Sequence, residues 1–195
     1  MVGACSQQER LDHVMDENEQ YRQFDKALED NDLNKCRELL DKYPGLLTAS
    51  GASSPSLLND VVEAGKIEFI PMFLDRGFSL AENPNGKKIF LVHSALMAEQ
   101  FEMARWLLEN GCDPNRVRLL IGAINRQEKA LDWVKLFVEH GADVNWCVRI
   151  AGPEEKWATP LDWARRSRKQ NIVDYLLSRG AVTAEDPSAV RRTDD

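Results

Sequence analysis

Histidine and cysteine side chains are the first candidates for chemistry in this sequence. The histidines are His13, His93 and His140, and the cysteines are Cys5, Cys36, Cys112 and Cys147. None of them stands at the C-x-x-C, His–His or His–Cys spacing that is typical of zinc sites. Cys147 and His140 are near in sequence, but Cys147 has no local signature of a catalytic nucleophile. We therefore expect no metal, no cofactor and no catalytic residue, and we expect reduced thiols.

Carboxylate pairs and nucleotide-binding loops are the next candidates. Glu154 and Glu155 are neighbours in the loop sequence "GPEEK", where two adjacent carboxylates cannot hold separate acid and base roles. The chain contains no G-x-x-x-x-G-K-[ST], no G-x-S-x-G and no H-E-x-x-H sequence. These observations predict a protein that is not an enzyme.

Composition and net charge limit the kinds of partner. The chain has 195 residues, of which 43% are hydrophobic, and its formal net charge is −7. No apolar stretch approaches the length of ~20 residues that spans a bilayer, and the first residues lack the segments of a signal peptide. We therefore predict a cytoplasmic protein that binds neither membranes nor nucleic acid. Its acidic surface would suit a basic protein partner.

The charge is distributed unevenly along the chain. Residues 1–35 carry nine acidic and four basic side chains, whereas residues 156–192 carry four acidic and eight basic ones. Solvated helix faces would explain this asymmetry, and so would a binding surface with one acidic and one basic end. The sequence leaves both interpretations open.

Four similar segments recur along the chain. They read "FLDRGFSL" at 73–80, "LLENGCDPN" at 107–115, "FVEHGADVN" at 137–145 and "LLSRGAVTA" at 176–184. Their glycines, Gly77, Gly111, Gly141 and Gly180, are 34, 30 and 39 residues apart. Each glycine follows an apolar helical pattern, and glycine readily adopts the left-handed conformation that ends a helix. The pattern predicts a repeated pair of short helices.

The segment before the last glycine carries the strongest motif. "TPLDWA" begins at Thr159, 21 residues before Gly180, and it resembles the T-P-L-H-x-A signature of ankyrin repeats. At the same distance before Gly111, "FLVHSA" places His93 where that motif has its histidine. The resemblance implies that His93 bonds near the turn, and that this bond changes in the last copy, where Asp162 replaces the histidine.

The resemblance to the ankyrin-repeat family implies an all-α solenoid of helical pairs with projecting finger loops. The five units are 22–50, 51–84, 85–115, 116–145 and 157–182, and the longest finger is 142–158. We expect residues 1–21 to form an N-terminal capping helix and residues 183–195 to form a flexible tail.

Packing positions follow from the same alignment of units. Small residues should lie where helices approach closely, namely Ala27, Ala95, Ala123 and Ala164. In the second unit Val61 takes this position instead, and we expect it to widen the stack slightly. The apolar residues predicted to be buried in the second helices are Phe69, Ile70, Phe73, Met103, Ala104, Trp106, Leu107, Trp133, Val134, Ile172, Val173 and Leu176. The fourth unit has two extra residues before its glycine. Its "LDW" at 131–133 therefore belongs to a second helix, whereas the "LDW" at 161–163 belongs to a first helix.

Binding should occur on the concave surface that the family resemblance implies. The first helices would present Glu63, Met97, Arg126 and Arg166 there, in an order that runs from acidic through apolar to basic. The long finger adds Trp146, Val148, Arg149 and Trp157, and aromatic and arginine residues are typical of binding hot spots. The alternative is that the finger folds on itself as a hairpin and buries both tryptophans.

The leading hypothesis is a non-enzymatic module, monomeric on its own, that binds another protein. One alternative is an immunity or inhibitor protein that neutralises a cognate toxin or enzyme, and another is a regulatory scaffold or a host-directed effector. A self-assembling array of repeats is a further alternative. The immunity or inhibitor alternative rests on family analogy, and the sequence does not name a partner.

Overall fold

The computed structural model describes residues 17–47, 57–82, 88–115, 118–150 and 156–191. Contacts divide the chain into two units, residues 1–58 and 59–195. In the first unit, α1 (Glu17–Glu29) packs on α2 (Leu33–Lys42), and a 3-10 turn (Pro44–Leu47) follows. Helix α1 runs through residue 21, where the sequence predicted the boundary between a capping helix and the first unit. Residues 1–16 of that prediction lie outside the described residues.

The second unit contains most of α3 (Leu57–Glu63) and all of the later helices. The other helices are α4 (Ile70–Leu74), α5 (Leu91–Met97), α6 (Phe101–Glu109), α7 (Leu119–Asn125), α8 (Ala130–Glu139), α9 (Pro160–Arg166) and α10 (Gln170–Ser178). A 3-10 turn (Ile67–Phe69) precedes α4, and the strands are β1 (Trp146–Ile150), β2 (Lys156–Ala158) and β3 (Val190–Arg191). The described residues are thus mainly helical, and none of their helices is long and apolar enough to cross a membrane.

The turns within the helix pairs repeat one backbone geometry. In each of four pairs, the reference position in the first helix is Ala27, Val61, Ala95 or Ala164. The residue four positions later has a positive φ, and the backbone N–H of the residue after that donates to the carbonyl of the reference residue. These residues are Asn31, Gly65, Glu99 and Arg168, with φ of 58°, 71°, 59° and 56°. The bonds are Asp32 N to Ala27 O, Lys66 N to Val61 O, Gln100 N to Ala95 O and Lys169 N to Ala164 O, at 2.8–3.1 Å. Only one of the four turns uses glycine, so the other three hold an L-residue in a conformation that disfavours it.

The turn between α7 and α8 differs because it is longer. Arg126 ends α7 in an extended conformation, and Lys129, with φ of 50°, stands immediately before α8. The first "LDW" therefore lies in α8 and the second lies in α9, as the count of residues predicted.

The predicted closing glycines all end second helices in the left-handed conformation. Gly77, Gly111, Gly141 and Gly180 have φ of 89°, 93°, 92° and 79°. In each case the following N–H reaches back to the carbonyl five residues earlier, as in Cys112 N to Leu107 O at 3.0 Å. This pattern satisfies carbonyl groups that a helix end would otherwise leave without partners.

Packing joins the pairs into a stack. Helices α5 and α6, α7 and α8, and α9 and α10 pack together, while α7 also contacts both α5 and α9, and α10 contacts α8. The small residues predicted at close approaches are buried. So are the apolar residues predicted in the second helices, with one exception. Trp106 is only half-buried, so its assignment to the core is wrong; the neighbouring Leu107 and Leu108 take the buried positions of α6.

Asparagine side chains join the bases of successive fingers. The Asn115 amide donates to Gly141 O at 3.0 Å and accepts from Asp143 N at 2.7 Å. The Asn145 amide repeats this arrangement with Gly180 O at 3.3 Å and Val182 N at 2.8 Å. Because each amide satisfies one acceptor and one donor of the next helix pair, it fixes the distance between neighbouring pairs.

The long finger folds as a β-hairpin, and the chain beyond α10 adds a strand to it. Strand β1 pairs antiparallel with β2, with Arg149 opposite Trp157, and parallel with β3, with Trp146 opposite Val190. Thus the finger folds as the hairpin of the second alternative, but Trp146 and Trp157 are half-buried rather than buried, so that part of the alternative is wrong. The described part of the predicted tail over 183–195 contains turns and β3, as far as residue 191. Residues 192–195 lie outside the described residues.

Candidate functional site

The carboxyl-terminal ends of three first helices are tied together by side chains from the following pair. Gln100 Nε2 donates to Glu63 O at 2.8 Å, Arg126 Nη2 donates to Met97 O at 3.0 Å, and Lys169 Nζ donates to Arg126 O. The last carbonyls of a helix lack partners within it and carry partial negative charge, so amide and cationic donors stabilise them. The ends of α3, α5 and α7 therefore form one row within the second unit.

The side chains on this row remain largely exposed. Glu63 and Asn125 are exposed, and Met97 is 46% exposed. The end of α9 joins the row because Trp163 Nε1 donates to Asn125 Oδ1 at 2.7 Å, and Arg166 is exposed beside it. We refer to Glu63, Met97, Asn125 and Arg166 as the helix-end row.

Arg126 has a different environment from the one that the sequence suggested. Its guanidinium donates to the carbonyls of Leu96 and Met97 and lies 3.4 Å from Glu99 Oε1. Only 21% of its side chain is exposed. Arg126 therefore holds α7 against the end of α5, and its guanidinium is already occupied rather than open to a partner. The residue type suggested a binding hot spot, whereas the hydrogen bonds of the guanidinium to α5 show a structural role.

The hairpin separates the residues that the sequence grouped as one finger. Trp146 and Val148 line a small cavity together with Pro114 and Leu119 at the start of α7. Val148 is only 5% exposed and Trp146 is half-buried. The structure therefore does not place Val148 on a surface that a partner could reach, because its side chain supports the hairpin. Arg149, the next residue in β1, is exposed.

A cleft lies between the hairpin, α9 and the segment that follows α10. It has a volume of about 410 Å³ and is lined by Ile150, Trp157, Ala158, Asp162, Trp163, Arg165, Arg166, Thr183, Ala184 and Glu185. We call this the hairpin cleft. Within it, the Arg166 guanidinium lies over the Trp163 ring, with its central carbon 5.7 Å from the ring centroid. The cleft thus brings together Trp157 and Arg166, two residues that the sequence singled out, and adds Trp163 and Arg165, which it did not assign to the site.

Asp162 fixes one wall of the hairpin cleft. Its Oδ2 accepts from Thr159 N at 3.1 Å and from Ala184 N at 2.8 Å, and it lies 3.0 Å from Thr159 Oγ1. Thr159 Oγ1 in turn accepts from Asp162 N at 3.3 Å, which completes a capping box at the start of α9. Asp162 therefore joins α9 to the segment after α10.

The candidate catalytic side chains have ordinary structural environments. A ring nitrogen of His140, Nδ1, lies 2.8 Å from Leu136 O, and Cys147 is fully buried in β1. Burial and the carboxylates of Asp32 and Asp25 raise the pKa of the Cys36 thiol to about 11. Within the described ranges, no group of three or more His, Cys, Asp or Glu side chains could hold a metal ion.

Comparison with known proteins gives one distant similarity. No family model matches the chain. A protein of Fowlpox virus (strain NVSL), named as an ankyrin repeat protein, is 27% identical over 126 residues. The match covers 63% of this chain but only 17% of the viral protein, so this chain spans a small part of that relative's length. The similarity supports an ankyrin-like family for a chain whose described residues form stacked helix pairs.

Proposed function

We propose that the chain is a non-enzymatic ankyrin-type module that binds another protein. The repeated turn geometry, the stacked first helices and the named viral relative support this proposal. A stack of this kind buries its apolar residues between neighbouring pairs and leaves an extended surface along one side. The binding surface is the helix-end row together with the hairpin cleft.

The observation that carries the proposal is the separation of roles along the helix-end row. The backbone carbonyls at the ends of α3 and α5 are held by Gln100 and Arg126. The side chains of Glu63 and Met97, whose carbonyls accept those bonds, stay exposed. A rigid backbone that presents free side chains loses little conformational entropy when a partner binds.

The test compares two surfaces of the same protein with matched substitutions. Met97→Ala and Arg166→Ala change the helix-end row. The control for Met97→Ala is Leu177→Ala on α10, since Leu177 is 47% exposed. The control for Arg166→Ala is Arg105→Ala on α6, since the central guanidinium carbon of Arg105 lies 5.2 Å from the centroid of the Phe101 ring. Each variant is immobilised, and proteins captured from the native cell are identified by mass spectrometry.

We expect the two row variants to lose the captured partner and the two control variants to keep it. Capture that survives in both row variants but is lost in a control would show that the partner binds the second helices instead. An inhibitory role stays a hypothesis, and it is checked by assaying the captured partner's own activity with and without this protein.

A further inference from the structure

We infer that the hairpin cleft binds an extended acidic segment of a partner protein, with one large apolar side chain inserted between Trp157 and Trp163. This inference rests on the proposed function and specifies the chemistry that the partner must offer. It also differs from the expectation of a basic partner, which followed from the net charge of the whole chain rather than from the residues at one surface.

The walls of the cleft suit an apolar side chain. Ile150, Trp157 and Trp163 line it, and each is only half-buried without a partner. The volume of about 410 Å³ falls within the range of roughly 300–1,000 Å³ that is usual for ligand-binding clefts. Half-buried tryptophan rings bring a large apolar area at a low cost in side-chain entropy, which makes them effective anchors for a partner.

The charge of the cleft selects an acidic segment. Arg165 and Arg166 are both exposed, and no carboxylate in the described ranges forms an ion pair with either. Of the two acidic side chains among the described residues of the lining, Asp162 already accepts hydrogen bonds from two backbone N–H groups, so much of its charge is compensated. Glu185 is exposed at the rim.

The position of Arg166 favours recognition of a carboxylate beside an apolar group. Its guanidinium lies over the Trp163 ring, which restricts its motion and leaves its N–H groups free around the edge of the plane. A planar guanidinium held in this way can donate two parallel hydrogen bonds to one carboxylate. A partner with an Asp or Glu next to a Leu or Trp would therefore satisfy both parts of the cleft together.

The experiment measures the fluorescence anisotropy of three synthetic peptides labelled with fluorescein. The acidic probe has Asp and Glu residues on both sides of a Leu-Trp pair, the basic probe has Lys in place of every acidic residue, and the polar probe has Ser in place of Leu and Trp. Circular dichroism confirms that every variant is folded.

We expect the acidic probe to bind, with an affinity that falls as salt concentration rises, and the other two probes to bind much more weakly. Arg166→Ala should weaken binding of the acidic probe about tenfold or more, whereas Arg105→Ala should leave it unchanged. The double variant Arg165→Glu and Arg166→Glu should reverse the preference, so that the basic probe binds better than the acidic one.

Equal binding of the acidic and basic probes, absence of binding, or an unchanged affinity in Arg166→Ala would overturn the inference. Self-association of the protein that the same substitutions abolish would assign the cleft to a second copy and would also overturn it. If capture of the native partner depends on Met97 but not on Arg165 and Arg166, the proposed function stands and the acidic segment is wrong. If capture depends neither on Met97 nor on Arg165 and Arg166, both the proposed function and the acidic segment are wrong.

Discussion

Removing the Asn115 side chain should weaken the joint between two neighbouring helix pairs. Asn115→Ala deletes the bond to Gly141 O and leaves the partly buried Asp143 N–H without that acceptor. Each hydrogen bond contributes about 0.5–1.5 kcal/mol, so the loss of two should lower the free energy of unfolding by about 1–3 kcal/mol. The matched control is Asn110→Ala, which removes one bond to Trp106 O within a single helix.

Urea denaturation followed by circular dichroism gives the size of the effect, and hydrogen exchange gives its location. We expect Asn115→Ala to lower the urea midpoint clearly more than Asn110→Ala, with an unchanged slope. The Asp143 amide should also lose protection from exchange in Asn115→Ala alone. If the two variants lower the midpoint equally, or if the Asp143 amide stays protected, the side-chain bond does not hold the pairs together.

Three further predictions test the backbone and the buried thiol. Gly111→Ala should lower the free energy of unfolding by about 1–2 kcal/mol, because the φ of 93° at this position disfavours a side chain even though space is free around it. Gly45→Ala is the control, since Gly45 has free space and no positive φ, and it should cost less than half of that amount. Urea denaturation measures both. Arg168→Gly should raise the thermal midpoint, because it relieves a φ of 56°; a lowered midpoint would contradict this. Cys36 should react with iodoacetamide more slowly than Cys112, as mapped by mass spectrometry. The raised pKa of Cys36 should also make the free energy of unfolding fall as pH rises from 9 toward 11, because the thiol ionises in that range only in the unfolded chain. Cys36→Ala should remove that fall.

Helix ends were predictable because their causes are local. The four closing glycines share an apolar helix before them and turn residues after them, and all four have positive φ. The turns within the pairs were less visible, because Glu99 and Arg168 occupy a left-handed conformation that their side chains do not indicate. Stacking of the helix pairs holds these residues there against their local preference.

The sheet could not be predicted in full, because its strands are distant in sequence. Residue Trp146 pairs with Val190, and no local pattern relates two positions so far apart. The same limit applies to the site. Trp146 and Trp157 look alike in the sequence, but the hairpin places the first beside α7 and the second in the cleft.

The most direct test of the account is hydrogen exchange, measured by mass spectrometry, on the protein with and without the partner captured from its native cell. We predict that the partner slows exchange in α5, α7 and α9 and in the hairpin, and leaves exchange in α6, α8 and α10 unchanged. Slower exchange confined to α6, α8 and α10 would contradict the claim that the helix-end row and the hairpin cleft form the binding surface.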